Sequence, residues 1–457
     1  MERRNRKKFW HKAKKMQTSG NKKLKAQGKD HDVIVVGGGT AGVVAAVASA
    51  RQGAKTLVIE STGAFGGMGT NGMIPTLCPY SFKSEPLIKG IGLEILKRLH
   101  KKNLSEEPDE SKSFSWVAID AEKLKLVYDE MITESGCDYL LFTHFSGVIM
   151  EDNIIRGITV ENKGGRKTLS ADVFIDCTGD ADVAFRAGAP FAKGDASGKL
   201  QASTLCFAIG NIDLERYLDF YQRIGGQNGL RKLIKESEHN GKLPVSDSFE
   251  YILSADSFRK EDGVMALNLG HLYGIDGTDA AQVSKAMIDG RKFAHFFVNF
   301  ARKNIPGMEK SFITASANLL GIRETRRITG DFIMPKESFY EGRHFEDDIA
   351  CYDYPIDVHE SRKTASKEDE NLFAKTAEIS KSTSYGIPFR VMVAKNVENL
   401  LVAGRSISAD RAMLGSLRVM PACFAMGQAA GTAAALASKQ NVSLSEVDIN
   451  KLKEFLE

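Results

Sequence analysis

Apolar residues along this chain follow two rhythms, and the switches between them outline its elements. Short unbroken apolar runs at residues 33–36, 55–59, 138–142, 173–176 and 399–403 read as parallel strands buried on both faces. Residues 87–103 and 119–135 carry Leu, Ile and Val at helical spacing, and the Ala/Gly-rich stretch 421–437, with Pro421 in its first turn, reads as a slim helix. Residues 147–160 and 167–169 alternate about turns at 151–153 and 163–165, which predicts a small antiparallel meander. From about 200 to 384 the glycine punctuation thins. Helical patterns at 212–224, 228–239 and from Thr278 to about 304 are separated by strand-like pieces at 264–269, 331–334 and 350–358. The pattern predicts an α/β chain in which residues 31–200 and 385–457 form one domain, with a separate α+β domain over 201–384 that shapes a substrate cavity. The polar segment 361–381 reads as an exposed loop or lid.

The most informative stretch is 32–60, where strand, glycine turn, helix and strand follow in order and end on an acid. Gly37, Gly39 and Gly42 supply GxGxxG between the first strand and the helix. The first glycine allows the tight turn, the second admits a pyrophosphate to the backbone, and the third lets helix and strand close up. The helix start then turns its positive end to the phosphates. Glu60 stands where a carboxylate accepts the hydroxyls of an adenosine ribose, and an acid there argues for an unphosphorylated ribose. The pattern in register predicts a dinucleotide site; the alternative is a Rossmann-like turn that binds nothing.

Composition narrows the class without naming a chemistry. At 457 residues, 42% hydrophobic and 26% charged, the chain has room for two globular domains. Its six cysteines show no CxxC and no Cys/His spacing for zinc, so no metal site is expected, and reduced thiols in a cytoplasmic protein fit them best. No apolar run has the length of a membrane span. Of the net charge of +4, residues 1–30 carry +10 (twelve Lys and Arg against Glu2 and Asp30), which leaves the rest at −6. That basic tail is expected to be disordered; it is either a patch for nucleic acid or an anionic membrane, or a solvated extension with no separate role.

Five further motifs invite a chemical reading. Gly66, Gly67, Thr70 and Asn71 lie in a glycine-rich loop directly after Glu60, suited to covering a cofactor, with an ordinary surface loop as the alternative. The strand at 173–176 ends in Cys177-Thr178-Gly179-Asp180, at the sheet edge where ligands of open α/β sheets sit, or simply caps the next helix. Residues 321–327, GIRETRR, hold three arginines suited to a carboxylate or enolate, with Arg323 the candidate for substrate or cofactor contact; pairing with Glu324 and Asp331 is the plainer reading. On a strand, Arg323, Thr325 and Arg327 would share a face. His359, closing YPIDVH, is the most plausible proton carrier, although a lone histidine is often structural. Tyr385 and Arg390 in YGIPFR are candidates for the cavity wall.

Taken together, VIVVGGGTAGVVAA, FGGMGTNG, FIDCTGDADVAFRAGAP, GIRETRRITGDF, YPIDVH and the closing block from YGIPFR to GTAAALA resemble the FAD-dependent oxidoreductase family of the glutathione-reductase-like flavoproteins, over about residues 31–440. The resemblance implies a Rossmann-like FAD-binding domain and a non-covalently bound FAD. Gly37, Gly39, Thr40, Ala41 and Gly42 would hold the pyrophosphate and Glu60 the ribose. Gly66, Gly67, Thr70 and Asn71 would line the flavin side, Val148 the adenine region, and Thr178 with Gly179 the crevice. Gly404, Arg405, Gly415, Ser416, Arg418 and Val419 would contact the ribityl chain and ring. A second GxGxxG and a CxxC are both missing, so the chain does not read as a pyridine-nucleotide disulfide reductase. The expected activity is hydride transfer between flavin N5 and a small polar or anionic organic substrate, with Arg323, His359 and Arg390 as catalytic candidates and the electron partner unidentified. A flavin-dependent hydroxylase using NAD(P)H is the alternative within enzymes, and an RNA-associated protein with a largely structural FAD is the alternative outside them.

Overall fold

In a computed structural model, the structure describes residues 29–456 apart from 80, 83–84, 103–115, 245, 247, 260–261 and 361–366. Residues 1–28 of the basic tail therefore lie outside the described residues. Strand β1 (His31–Val36) leads through helix α1 (Thr40–Arg51) to β2 (Thr56–Ile59), and helix α2 (Ala121–Ser135) leads to β3 (Asp138–Leu140). The meander β4 (His144–Glu151), β5 (Ile154–Asn162) and β6 (Gly165–Leu169) then returns the chain to β7 (Ala171–Asp176).

The inserted domain is built on β8 (Phe207–Gly210), β9 (Phe249–Arg259), β10 (Val264–Leu272) and β11 (Phe312–Ser316), an antiparallel sheet of order β9-β10-β8-β11. Helix α3 (Ala280–Asn304), capped by Asp279, packs its Phe293, Phe297 and Val298 into the core it shares with Phe207, Leu253, Leu267 and Leu269. The chain returns to the first sheet through β12 (Leu400–Val402) and ends in the long helix α4 (Met420–Gln440). The parallel sheet has the order β12-β7-β1-β2-β3.

Alternation along β1 explains why its run is apolar throughout. Val33 and Val35 face α1 and α4, whereas Ile34 and Val36 face the meander side with Leu57, Ile59 and Phe174. Small residues let α1 and α4 meet at backbone distance: a Cβ on Gly427 would lie 2.3 Å from the Ala41 carbonyl oxygen, and one on Gly431 2.1 Å from that of Ala45.

Two expectations need correction. Residues 331–334 form bends joined to Ala409 by a single bridge at Met334, because two neighbouring loops, rather than strands, supply the partners. Of the polar segment read as a loop, Lys367–Ser380 is a helix, stabilised in part by Thr376, whose hydroxyl accepts from the Ile356 N–H at 3.0 Å; polar composition had hidden its helical period. No single helix among the described residues is long and apolar enough to cross a membrane.

Candidate active site

The carboxyl ends of four parallel strands open into a cavity of about 420 Å³, lined by Val36, Ile59, Cys177 and Ala403. The glycine turn forms its floor. Gly37 has φ 95°, and a Cβ there would lie 2.6 Å from the Cys177 carbonyl oxygen. Gly39 behaves differently: its nearest protein atom would be 4.0 Å from an added Cβ, so this glycine faces open space in the cavity rather than protein. Helix α1 begins there without a side-chain cap, so its first-turn N–H groups carry the helix's positive end onto the cavity at Thr40 and Ala41.

Glu60 is buried beside this turn. Its carboxylate accepts the Gly38 N–H at 2.8 Å and the Thr62 N–H and hydroxyl at 2.8 Å each, while still lining the cavity. The following loop is drawn over the turn: the Thr40 hydroxyl donates to the Gly66 carbonyl at 3.1 Å, and a Cβ on Gly67 would sit 3.0 Å from Gly39 Cα. Gly67 and Met68 line the cavity. Thr70 and Asn71 do not; the Thr70 hydroxyl donates to Phe65 O at 2.6 Å and the Asn71 amide to Ala64 O at 2.9 Å, so both brace the loop from within.

The other wall comes from the end of β7. Asp176 is fully buried and accepts from the Thr178 N–H and hydroxyl and from the N–H groups of Val183 and Ala184; burial pushes its carboxyl up to about 6. Thr178 thus lines the cavity while its hydroxyl is engaged in the turn, as the capping alternative foresaw. Gly179 makes room for Arg405, whose guanidinium bonds Asp180 at 2.7 Å and Thr325 at 3.2 Å. At the β3–β4 corner the lining residues are Thr143, His144 and Phe145; Val148 instead packs in the core beneath the sheet and lines neither cavity.

A second cavity, of about 760 Å³, shares Met68, Ile322, Arg405, Arg418 and Met420 with the first. Helix α4 starts at this junction, uncapped and with Pro421 in its first turn. The contacts of Gly427 with Ala41 and Gly431 with Ala45 set α4 parallel to α1, so Met420 lies six residues, about 9 Å, beyond the start of α1.

In this second cavity the chain gathers its catalytic candidates. His359 Nε2 stands 2.9 Å from Asp357 Oδ2, and its Nδ1 stands 3.0 Å from His271 Nε2. Arg418 donates to the Asp357 carboxylate at 3.2 Å and to its backbone carbonyl at 2.8 Å, and the Tyr354 hydroxyl reaches the same carboxylate at 3.3 Å. Arg323 is buried, donating to Ala202 O at 2.8 Å and Thr204 Oγ1 at 3.0 Å. Burial and the nearby Arg418 charge lower its guanidinium to about 10. Burial and the Arg323 charge lower the His359 imidazole to about 4, so it is neutral at pH 7. Burial alone would raise the Asp357 carboxyl; His359, Arg418 and Arg323 outweigh it and hold the group well below the usual range.

Other sequence candidates stand behind this cluster or away from it. A Cβ on Gly415 would lie 2.9 Å from the Asp357 carbonyl oxygen, and the buried Ser416 hydroxyl bonds Tyr385 and the Tyr354 carbonyl, so these residues hold segment 354–357 in place. Val419 lines the second cavity. Arg390 lines neither: it pairs with Asp347 at 2.9 Å, and its guanidinium lies over Phe332 at 4.6 Å, because its short 3-10 turn directs it outward. In GIRETRR only Arg326–Ile328 is strand. Buried Glu324 takes Arg327 and Arg411, Asp331 pairs with Lys395, and Arg323 alone of the three arginines lines a cavity. Sequence reading missed Asp357 and His271; the acid two residues before His359 was a usable signal, whereas nothing around His271 was.

Sheet, glycine turn and paired helix starts define a dinucleotide-binding α/β protein. The chain belongs to the FAD-dependent oxidoreductase family, whose model matches residues 32–456, and its cofactor is FAD. The open face of Gly39, two uncapped helix starts and the cavity between them fit that group. No curated protein matches the chain. Among solved structures, it is similar to a geranylgeranyl bacteriochlorophyll reductase-like protein from Thermoplasma acidophilum (14% identity, 93% of this chain and 83% of that one, TM-score 0.46). It is also similar to p-nitrophenol 4-monooxygenase from Pseudomonas putida (10% identity, 94% and 86%, TM-score 0.48).

Proposed function

We propose that this oxidoreductase transfers hydride between FAD and a small polar or anionic organic substrate held in the second cavity, with the His359–Asp357 pair exchanging the proton. When bound, FAD supplies the two-electron chemistry through its N5. The chain's residues supply position and charge. Arg323 and Arg418 bring two cations to one wall, suited to a substrate carboxylate or to negative charge developing on oxygen, and Trp116, Tyr354 and Phe373 supply flat apolar surface. A neutral imidazole beside an ionised carboxylate is a proton acceptor whose cation the carboxylate then stabilises. The observation that carries the reading is the His359–Asp357–Arg418 cluster on the cavity sharing Arg405, Arg418 and Met420 with the nucleotide cavity.

The assignment extends to FAD contacts at Gly37, Gly39, Thr40, Ala41, Glu60, Gly67, Thr178, Gly179, Gly404, Arg405 and Arg418, all of which line the first cavity. Placement in the glutathione-reductase-like group, with FAD held non-covalently, is supported by the parallel sheet, meander and closing α4 in that order. An inserted domain is supported over about residues 207–316 by its own sheet and core, whereas Met334, Phe339, Ile349, Tyr352 and Ile356, placed in it by the expected bounds of 201–384, pack into the core of the parallel-sheet domain.

The test is an anaerobic screen of organic acids, sugars and amines for loss of the yellow flavin absorbance, followed by His359→Gln on the compound found. Flavin reduction should slow about 100-fold or more with FAD still bound. An unaltered rate removes His359 from the mechanism, and rapid bleaching by NAD(P)H alone favours a hydroxylase.

A further inference from the structure

We propose that the part of the second cavity formed by β9 binds an ammonium group of the substrate on Asp256, so that the substrate carries an amine at one end and an acid at the other. The inference rests on the reading of the second cavity as the substrate site, with Arg323 and Arg418 on the acid, and adds what the β9 end recognises. β9 is the edge strand of the inserted sheet, and its pairing with β10 shifts register between Leu253 and Ala255. Such a bulge breaks the ladder and re-aims the side chains around it. Ser254 and Asp256 line the cavity there with Asn268 of β10, and Tyr221, Gln227 and Arg231 join them from the helices Leu214–Arg223 and Gly226–His239. None of these residues lines the nucleotide cavity, so they stand away from the wall the two cavities share.

The polar groups at this end do not satisfy one another. Asp256 Oδ1 accepts from the Gln227 side-chain amide at 2.9 Å, but Asp256 Oδ2 has no hydrogen-bond partner, and neither have Ser254 Oγ and Asn268 Oδ1. Arg231 does not neutralise the acid. Its guanidinium donates to the edge-strand carbonyls of Leu253 at 2.9 Å and Ser254 at 3.4 Å, and it forms no ion pair with Asp256. Burial raises the Asp256 carboxyl above its ordinary range, and the Gln227 bond and the Arg231 charge offset only part of that. A carboxylate withdrawn from water without a counter-charge is costly until a cation joins it. The atoms left without partners are carboxylate, hydroxyl and amide oxygens, all of which accept from an ammonium. An anion would meet the Asp256 charge there, and an apolar tail would leave those acceptors unmatched. The rings of Trp116 and Tyr221 on the same cavity add faces suited to a cation. A volume of about 760 Å³ gives room for a molecule that reaches from the arginines to Asp256.

The test titrates the FAD-loaded protein by calorimetry with straight-chain ω-amino carboxylates, from glycine upward, and with unsubstituted carboxylic acids of the same lengths. Where the chain spans both ends, the amine should tighten binding about tenfold or more over the matching acid, the range for a hydrogen bond to a charged group. Asp256→Asn keeps the shape and removes the charge, so it should cancel that advantage; FAD absorbance and melting temperature verify its fold. Acids that bind while the amine adds nothing at any length overturn the subsite alone, and the wild-type protein decides this without any variant. An advantage undiminished in Asp256→Asn overturns the assignment to Asp256. A protein that binds neither series sinks the reading of the cavity as a site for an acid, and the subsite with it, so the two failures are distinguishable.

Discussion

Replacing Gly42 by Ala isolates the packing on which the nucleotide cavity depends. The added Cβ would lie 1.8 Å from the Gly37 carbonyl oxygen and 3.1 Å from Cys177 Cβ. Gly37 and Gly42 therefore have to separate by roughly 1.2 Å to reach even a tight contact. The obstacle is backbone, so no side chain can swing aside. Helix α1 cannot retreat either, because Gly427 and Gly431 of α4 already hold the Ala41 and Ala45 carbonyls at backbone contact on its other side. Strain of this kind costs about 1–3 kcal/mol. If it falls on the bound state, FAD affinity drops roughly 5- to 150-fold. The assay is FAD retained per chain on purification, then titration of stripped protein by flavin fluorescence. Gly136→Ala is the control: its φ of 75° carries strain, but nothing lies within 4 Å of the new Cβ, so the substitution costs about 1 kcal/mol and leaves FAD content unchanged. A Gly42→Ala protein that keeps full FAD with wild-type affinity would refute the account of α1 as clamped between the turn and α4.

Arg323→Met should weaken binding of benzoate, a probe matched to the arginines and aromatic wall, by about 10- to 100-fold in a flavin difference-spectrum titration, the range for losing a bond to a charged group. Arg390→Ala, which breaks a pair with Asp347 outside both cavities, should leave that affinity unchanged; the reverse ranking would disprove the placement of the anion. His359 also makes stability pH-dependent in a defined sense. Its folded value of about 4 lies below the ordinary 6.5, so the unfolded chain binds the extra proton between those limits, and the stability this group contributes at neutral pH falls as pH drops from 6.5 towards 4. Asp176, raised to about 6, acts in the opposite sense, so the readout is the difference between wild type and His359→Gln. Melting curves should show the variant gaining on wild type over that window, and a constant gap would contradict the neutral imidazole.

The nucleotide half of the site was legible because local rules dictate it. Val33 to Val36, the glycines at 37, 39 and 42, and Glu60 lie within one continuous unit, and spacing alone put them on strand, turn and strand end. Val148, which the resemblance alone set near the adenine, packs in the core and lines neither cavity; an alternating strand says which face a residue takes but not how far along a cavity it sits. Thr70 and Asn71 were expected to reach a ligand, yet a glycine-rich loop with few apolar contacts uses its polar side chains to hold itself, which composition does not reveal. The second cavity is assembled across long sequence separations. His271 comes from the inserted sheet, Arg323 from an irregular segment, His359 from the return, and Arg418 from the residues just before α4.

What joins the halves is the offset between α1 and α4. Two parallel helices starting at the same level would aim both positive ends at one point; here the glycine contacts stagger them by about 9 Å, so one start opens on the nucleotide cavity and the other on the wall common to both cavities. Arg418 and Met420 stand at that second start, and Arg418 also holds Asp357. The glycine spacing in α4 thus fixes not only how closely the helices pack but also where the His359–Asp357–Arg418 cluster stands relative to the first cavity. A slip of α4 by one turn would move Met420 by about 5.4 Å and separate the two cavities' shared wall from His359. The backbone contacts at Gly427 and Gly431 are therefore as much a part of the site's geometry as the side chains that line it.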